Sequence, residues 1–267
     1  MSLLRPLLAL VALGPATAAA QTQRPAPSVI TVFAAASLTD AFEELGALFR
    51  RRHPGITVRF NFAGSQQLAA QLEHGASADV FASADQRWMA LVQRQGLAAG
   101  EPLVFAHNRL VVVLPAENPA RIERLEDLAR PDLKLVLAAD AVPAGRYSRE
   151  VLRNLSRRPG FGSDYERRVL ANVVSNEESV KGVVAKVQLG EADGGLVYRS
   201  DVTPAIAGKF RVLDIPATAN IVASYPIVVL AASGKPGAAR EFVELVRGPE
   251  GRATLARHGL EPPPAAP

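Results

Sequence analysis

The sequence predicts an α/β protein built on mostly parallel sheet. Three observations predict it: strand and helix patterns alternate along nearly the whole chain, several strands run straight into helices through short turns, and no fixed-period repeat breaks the alternation. Ala35-Ala36-Ser37 follows the apolar run 29–33, Ala63-Gly64-Ser65 follows 56–62, and Val142-Pro143-Ala144-Gly145 follows 133–138. A helix N-terminus presents unpaired N–H groups and the positive end of the helix dipole, so several such ends converging make a pocket for an anion.

Each element follows from its own pattern. After the first strand, Leu38, Ala41, Phe42, Leu45 and Phe49 share one helical face, with Glu43 and Glu44 opposite, until His53-Pro54-Gly55 ends the helix. Ile56, Val58, Phe60 and Phe62 alternate with polar residues as a strand with one drier face, and Ser65 opens a helix carrying Leu68 and Leu72. A short strand at 78–82 leads into Ser83-Ala84-Asp85-Gln86, a capping-box pattern, and then a helix with Trp88, Leu91 and Val92 that stops at Gly96. The unbroken apolar run 110–114 reads as a strand buried on both faces and as the first candidate for a crossing between lobes.

Further on, 122–128 is helical in pattern and 133–138 is a strand. The Val-Pro-Ala-Gly turn opens a helix with Tyr147, Val151 and Leu152, and 165–173 reads as another helix. Ser179 starts a helix with Val180, Val183, Val184 and Val187 on one side, followed by a buried strand at 195–198. The run 210–215 is a strand closed by Pro216, and 225–231 is the second crossing candidate. Helices at 240–247 and 249–258 precede a Pro-rich tail expected to fray.

The N-terminus has the order of an export signal at residues 1–20: Arg5, an apolar stretch at 7–13 and a small-residue site at Ala18-Ala19-Ala20. The apolar stretch is too short to span a bilayer, so an exported chain starting near Gln21 is expected. The chain has no Cys, which rules out disulfides, thiolate metal sites, Cys nucleophiles and a lipid on an N-terminal Cys; a periplasmic location fits. Its formal charge of +4, one unit of it from Arg5, is scattered, and with 6% aromatic residues there is no basic face for nucleic acid.

Catalytic signatures are missing. There is no Gly-x-Ser-x-Gly elbow, and His53, His74, His107 and His258 fall at predicted helix ends or strand starts. No His-rich or carboxylate-rich spacing suits a metal, and Gly160-Phe161-Gly162 does not follow a strand as a phosphate loop would. Coordination of an anion by neutral donors remains, with Ser37 and Ser65 placed for it beside backbone N–H groups.

The chain resembles the periplasmic molybdate-binding proteins that deliver substrate to an ABC importer. The resemblance runs from about Ile30 to Gly259. Six segments carry it, in the family's order: Val32-Phe33-Ala34-Ala35-Ala36-Ser37-Leu38-Thr39, Phe62-Ala63-Gly64-Ser65, 78–85, 142–147, Ser179-Val180-Lys181-Gly182 and 195–201. It implies a two-lobed type II periplasmic-binding-protein fold, each lobe a mostly parallel sheet flanked by helices, with two crossing strands at the hinge. The implied division is 29–106 with 224–267 for one lobe and 107–223 for the other. It also implies a monomeric binding protein, not an enzyme, that takes molybdate or tungstate without a cofactor and engages the importer's membrane subunits.

The residues carried over are Ser37 and Ser65 from one lobe, and the Ala144 N–H, the Val180 N–H and the Tyr198 hydroxyl from the other. Gly64-Ser65-Gln66 departs from the run of serines in some relatives, which makes Gln66 or Gln67 a candidate donor. Arg199 is placed to add positive potential, and Glu177 and Glu178 to repel an anion if they face inward. Sulfate, phosphate or a small organic acid in the same fold, and a secreted hydrolase using Ser37 or Ser65, are the alternatives.

Overall fold

The computed structural model describes residues 28–263, which form two five-stranded sheets. The first contains β1 (Ser28–Ala35), β2 (Ile56–Ala63), β3 (Val80–Ala82), β4 (Leu103–Asn108) and β10 (Ala223–Val229), in the order β2-β1-β3-β10-β4. The second contains β5 (Leu110–Pro115), β6 (Leu135–Ala138), β7 (Val173–Glu177), β8 (Gly194–Tyr198) and β9 (Phe210–Asp214), in the order β7-β6-β8-β5-β9. The expected export signal at 1–20 and the last residues of the tail, 264–267, lie outside the described residues.

The two sheets share one plan. Three strands run parallel in each, β2, β1 and β3 in the first and β7, β6 and β8 in the second. An antiparallel strand follows, β10 beside β3 and β5 beside β8, and it is the strand that has just arrived from the other lobe. The chain crosses from β4 through Arg109 into β5, and returns from β9 through 215–222 into β10. Asn220 ties the two crossings together: its side chain accepts the Leu110 N–H at 3.1 Å and donates to the Leu110 carbonyl at 2.8 Å, as a strand neighbour would.

The parallel strands connect through helices, as right-handed crossovers require. In the first lobe these are α1 (Thr39–Arg52), α2 (Ser65–Glu73) and α3 (Gln86–Arg94), with α7 (Pro236–Arg247) and α8 (Pro249–Arg257) added after β10. In the second they are α4 (Pro143–Ser156), α5 (Tyr165–Ala171) and α6 (Val180–Gln188). The helical stripe of α1 buries Phe42 and Phe49, which meet Phe242 of α7 edge-on at 6.0 and 5.6 Å. On the opposite face of the same sheet, Leu68, Leu72, Met89 and Val92 of α2 and α3 pack on Phe33, Phe81 and Val228.

Several local expectations are corrected. The N-cap of α3 is Asp85, whose carboxylate accepts the Trp88 N–H at 3.1 Å; Ser83 instead folds its hydroxyl onto Asp85's own backbone. The pattern at 122–128 resolves into a 3-10 turn at Leu125–Ala129. The helix read over 165–173 ends at Ala171, and β7 follows as an edge strand whose polar, half-exposed residues hide it from a hydrophobic pattern. The tail is held as far as Glu261, which exchanges backbone hydrogen bonds with His107 of β4 at 2.7 and 2.9 Å.

Candidate functional site

The parallel strands of the two sheets end on opposite sides of a cleft, where open α/β sheets place their ligands. On the first side, β1 passes into a 3-10 turn, Ala36–Leu38, which holds Ser37, and β2 passes through Gly64, the N-cap of α2, to Ser65. On the second, Val142 caps α4 with Pro143 and Ala144 behind it, Ser179 caps α6 ahead of Val180, and β8 ends on Tyr198. Proline suits the first helical position because the N–H it lacks would have had no partner there.

Ser37, Ser65, Ala144, Val180 and Tyr198 all line one small cavity, ≈ 10 Å³ by the room it leaves for the centre of a water-sized sphere, with no charged side chain in its lining. That is about the room one water needs and far below the range of about 300–1,000 Å³ typical of drug-sized ligands, so the space suits only a compact group. The backbone N–H groups of Ser65, Ala144 and Val180 belong to first helical turns, which have no carbonyl partners within their own helices.

The hydroxyls are arranged to match. Ser65 Oγ accepts the Ala84 N–H at 3.0 Å, which leaves the serine proton for another acceptor. The buried Tyr198 hydroxyl has no hydrogen-bond partner among the described residues. Burial pushes its pKa well above the ordinary phenol value, so it stays a neutral O–H donor. A buried donor with no acceptor costs about 1–3 kcal/mol, and an acceptor arriving in the cavity removes that cost. Among the described residues neither Ser37 nor Ser65 has a histidine as a hydrogen-bond partner: Ser37 meets the Tyr225 hydroxyl and Ser65 the Ala84 N–H.

The lobes touch around the cavity. The Gln66 side chain donates to the Glu178 carbonyl at 2.9 Å and the Gln67 side chain to its carboxylate at 2.8 Å. The Trp88 indole donates to the Ala141 carbonyl at 3.0 Å, Arg146 pairs with the buried Asp85 at 3.2 Å, and Lys181 reaches Asp40 at 2.8 Å. This is the closed arrangement of a two-lobed molecule. Gln66 and Gln67 therefore join the lobes instead of adding donors to the cavity. Arg199 pairs with Asp214 at the surface, and Glu177 with Lys186 at 2.8 Å.

α4 sits hard against the end of β6. A Cβ on Gly145 would come within 2.1 Å of the Ala139 carbonyl oxygen and 2.3 Å of that of Ala138. The missing side chain is what lets the helix N-terminus, with Ala144, stand this close to the strand.

Beside Tyr198, Asp201 is fully buried; it accepts the Tyr198 backbone N–H at 3.0 Å and lies 3.8 Å from the Lys181 ammonium. Burial raises its pKa to about 6 from 3.8, with Lys181 opposing the rise. A carboxyl with a raised folded-state pKa takes up its proton on folding, so its contribution to stability grows as pH falls from about 6 towards 3.8. Asp201→Asn is expected to stabilise the protein near pH 7, with the gap narrowing towards about pH 4, as read from urea unfolding at the two pH values.

Sequence reasoning missed Asp85 and Arg146, which pair across the cleft, and Tyr225 and Asn108, which stand behind Ser37. Tyr225 lies within an apolar strand and Asn108 at a strand end, positions that read as core and loop.

A family model described as bacterial extracellular solute-binding protein matches residues 30–261. The molybdate-binding protein ModA of Mycobacterium tuberculosis is 41% identical over 249 residues, 93% of this chain and 90% of that protein. The solved periplasmic molybdate-binding protein of Azotobacter vinelandii superposes with a TM-score of 0.75 at 23% identity, covering 88% of this chain and 99% of its own. The sulfate-binding protein SubI of M. tuberculosis gives 0.77 at 18% identity, covering 89% and 88%. At those identities the two solved structures speak for the fold.

Proposed function

The chain belongs to the family of bacterial extracellular solute-binding proteins, and from that premise we propose that it captures molybdate, and tungstate with it, between its lobes and delivers it to an ABC importer. The observation that carries this reading is the Tyr198 hydroxyl, buried and unpartnered on a small uncharged cavity that two serine hydroxyls and three helix N-termini also line. In this reading Ser37 and Ser65 donate from one lobe, and the Ala144 N–H, the Val180 N–H and the Tyr198 hydroxyl from the other. The 41% identity to a molybdate-binding protein over nearly the full chain supports molybdate over other anions.

The physical account is one of neutral donors in a dry cleft. Hydrogen bonds to a charged acceptor are about twice as strong as neutral ones, and excluding water strengthens each further. Tungstate matches molybdate in charge, shape and nearly in size. Sulfate is smaller, so the same donors meet it at poorer length and angle. We place the working site outside the cytoplasm, after export directed by residues 1–20, with a monomer whose lobes, divided from sequence at 29–106 plus 224–267 and at 107–223, shift by a residue or two because β4 runs to Asn108 and β10 starts at Ala223. Ligand draws the lobes together, and the closed form is what the membrane subunits engage.

The test is thermal unfolding of the exported chain with molybdate, tungstate, sulfate and phosphate at equal concentration. A ligand at about a thousand times its dissociation constant adds about 4 kcal/mol of stability. Large shifts with molybdate and tungstate and small ones with sulfate and phosphate are expected. A flat series would remove the oxyanion reading.

A further inference from the structure

Behind Ser37 runs a chain of hydrogen bonds whose direction is fixed at its far end. The Arg109 backbone N–H donates to Asn108 Oδ1 at 2.9 Å. A backbone N–H is always a donor, so the Asn108 amide has one orientation, with its NH₂ pointing the other way. That NH₂ donates to Ser200 Oγ at 2.8 Å and to the Tyr225 hydroxyl oxygen at 3.3 Å. Tyr225 thereby receives a hydrogen on that side, and the one acceptor within reach of its own hydrogen among the described residues is Ser37 Oγ, 2.9 Å away, so it donates there. Ser37, made an acceptor on that side, turns its proton to the cavity. All of these side chains are buried, and burial keeps the Tyr225 hydroxyl protonated.

We propose that Asn108 and Tyr225 are specificity-determining positioning residues: they aim the Ser37 proton into the cleft, so that this corner of the site donates and cannot accept. The inference rests on the oxyanion reading above and adds a selection rule to it. Molybdate, tungstate and sulfate carry no proton near neutral pH and can take a donor at every oxygen. Hydrogen phosphate carries one O–H, which needs an acceptor. Ser65 repeats the rule by a shorter route, since the Ala84 N–H occupies its oxygen. Asn108 also stands at the crossing between lobes and reaches Ser200 of the second lobe, so the rule is imposed from the hinge.

Two substitutions reverse or release the chain. Asn108→Asp keeps size and shape and still accepts the Arg109 N–H, but its second oxygen now takes the hydrogens of Ser200 and Tyr225. Tyr225 must then accept from Ser37, and Ser37 offers the cavity a lone pair. Tyr225→Phe frees Ser37 to turn either way. Titration calorimetry with molybdate and sulfate, and competition of molybdate by phosphate at about pH 8, reads the result on the whole exported chain. The added carboxylate repels every dianion alike, so the ratios carry the information.

In Asn108→Asp the preference for molybdate over hydrogen phosphate is expected to fall about tenfold or more, and in Tyr225→Phe by less, while the molybdate-to-sulfate ratio holds in both. Parallel losses for all three anions, or no displacement by phosphate from either variant, would overturn the inference and leave Tyr225 and Asn108 as packing. Failure of the wild-type protein to bind any of the anions would instead overturn the oxyanion reading itself.

Discussion

Tyr198→Phe is expected to weaken molybdate binding about 10- to 100-fold without lowering the stability of the ligand-free protein. The two halves of this expectation have one origin. The hydroxyl has no partner among the described residues, so the empty fold loses no hydrogen bond when it is removed. The ring stays, and with it the edge-on contact with Tyr225 at 5.8 Å, so packing is kept. What disappears is one hydrogen bond to a charged acceptor in a water-excluded site, worth about 1.5–3 kcal/mol. Calorimetric titration gives the affinity, and a melting curve without ligand gives the other half. A variant that binds at full strength would remove Tyr198 from the site, and one that melts early would make it a core residue.

Gly145→Ala is expected to cost about 3 kcal/mol of stability, or to prevent folding, although alanine is the better helix former by roughly 1 kcal/mol. The added methyl would lie 2.1 Å from one main-chain oxygen and 2.3 Å from another, and neither can turn away as a side chain would. α4 must retreat from the end of β6, taking the Ala144 N–H with it. Affinity for the anion should therefore fall along with stability. Chemical denaturation measures the first loss and titration of whatever folds measures the second. A variant with raised stability would mean that helix and strand separate more freely than this contact allows.

Much of this architecture is legible in the chain because most of the parallel strands announce themselves twice, by an apolar run and by the turn that follows. Ser37, Ser65 and Ala144 fall in such turns and Val180 follows one, so their placement at helix starts is readable before any coordinates. Tyr198 is different. A tyrosine ending a buried strand reads as core, and it is core by exposure, at 1%. Its lack of a hydrogen-bond partner is a property of three dimensions, and only the family resemblance pointed to it. β4 and β7 carry no clean alternation of apolar and polar residues, whereas β2, at an edge as well, alternates and is readable. The Asp85 cap was misplaced by two residues because Ser83 and Asp85 both have cap chemistry, and the local backbone decides between them. The contacts across the cleft join residues far apart in sequence, and no periodicity encodes them.

The exchange of a strand between lobes sets a timetable for synthesis. The first lobe's sheet is open between β3 and β4 until residues 223–229 have been made, and α7 and α8, which cover its aromatic core, come later still. A ribosome must therefore emit nearly the entire polypeptide before that half can close, and pairings at such sequence separation form slowly. The order of synthesis therefore makes the first lobe, which is begun first, the last to close.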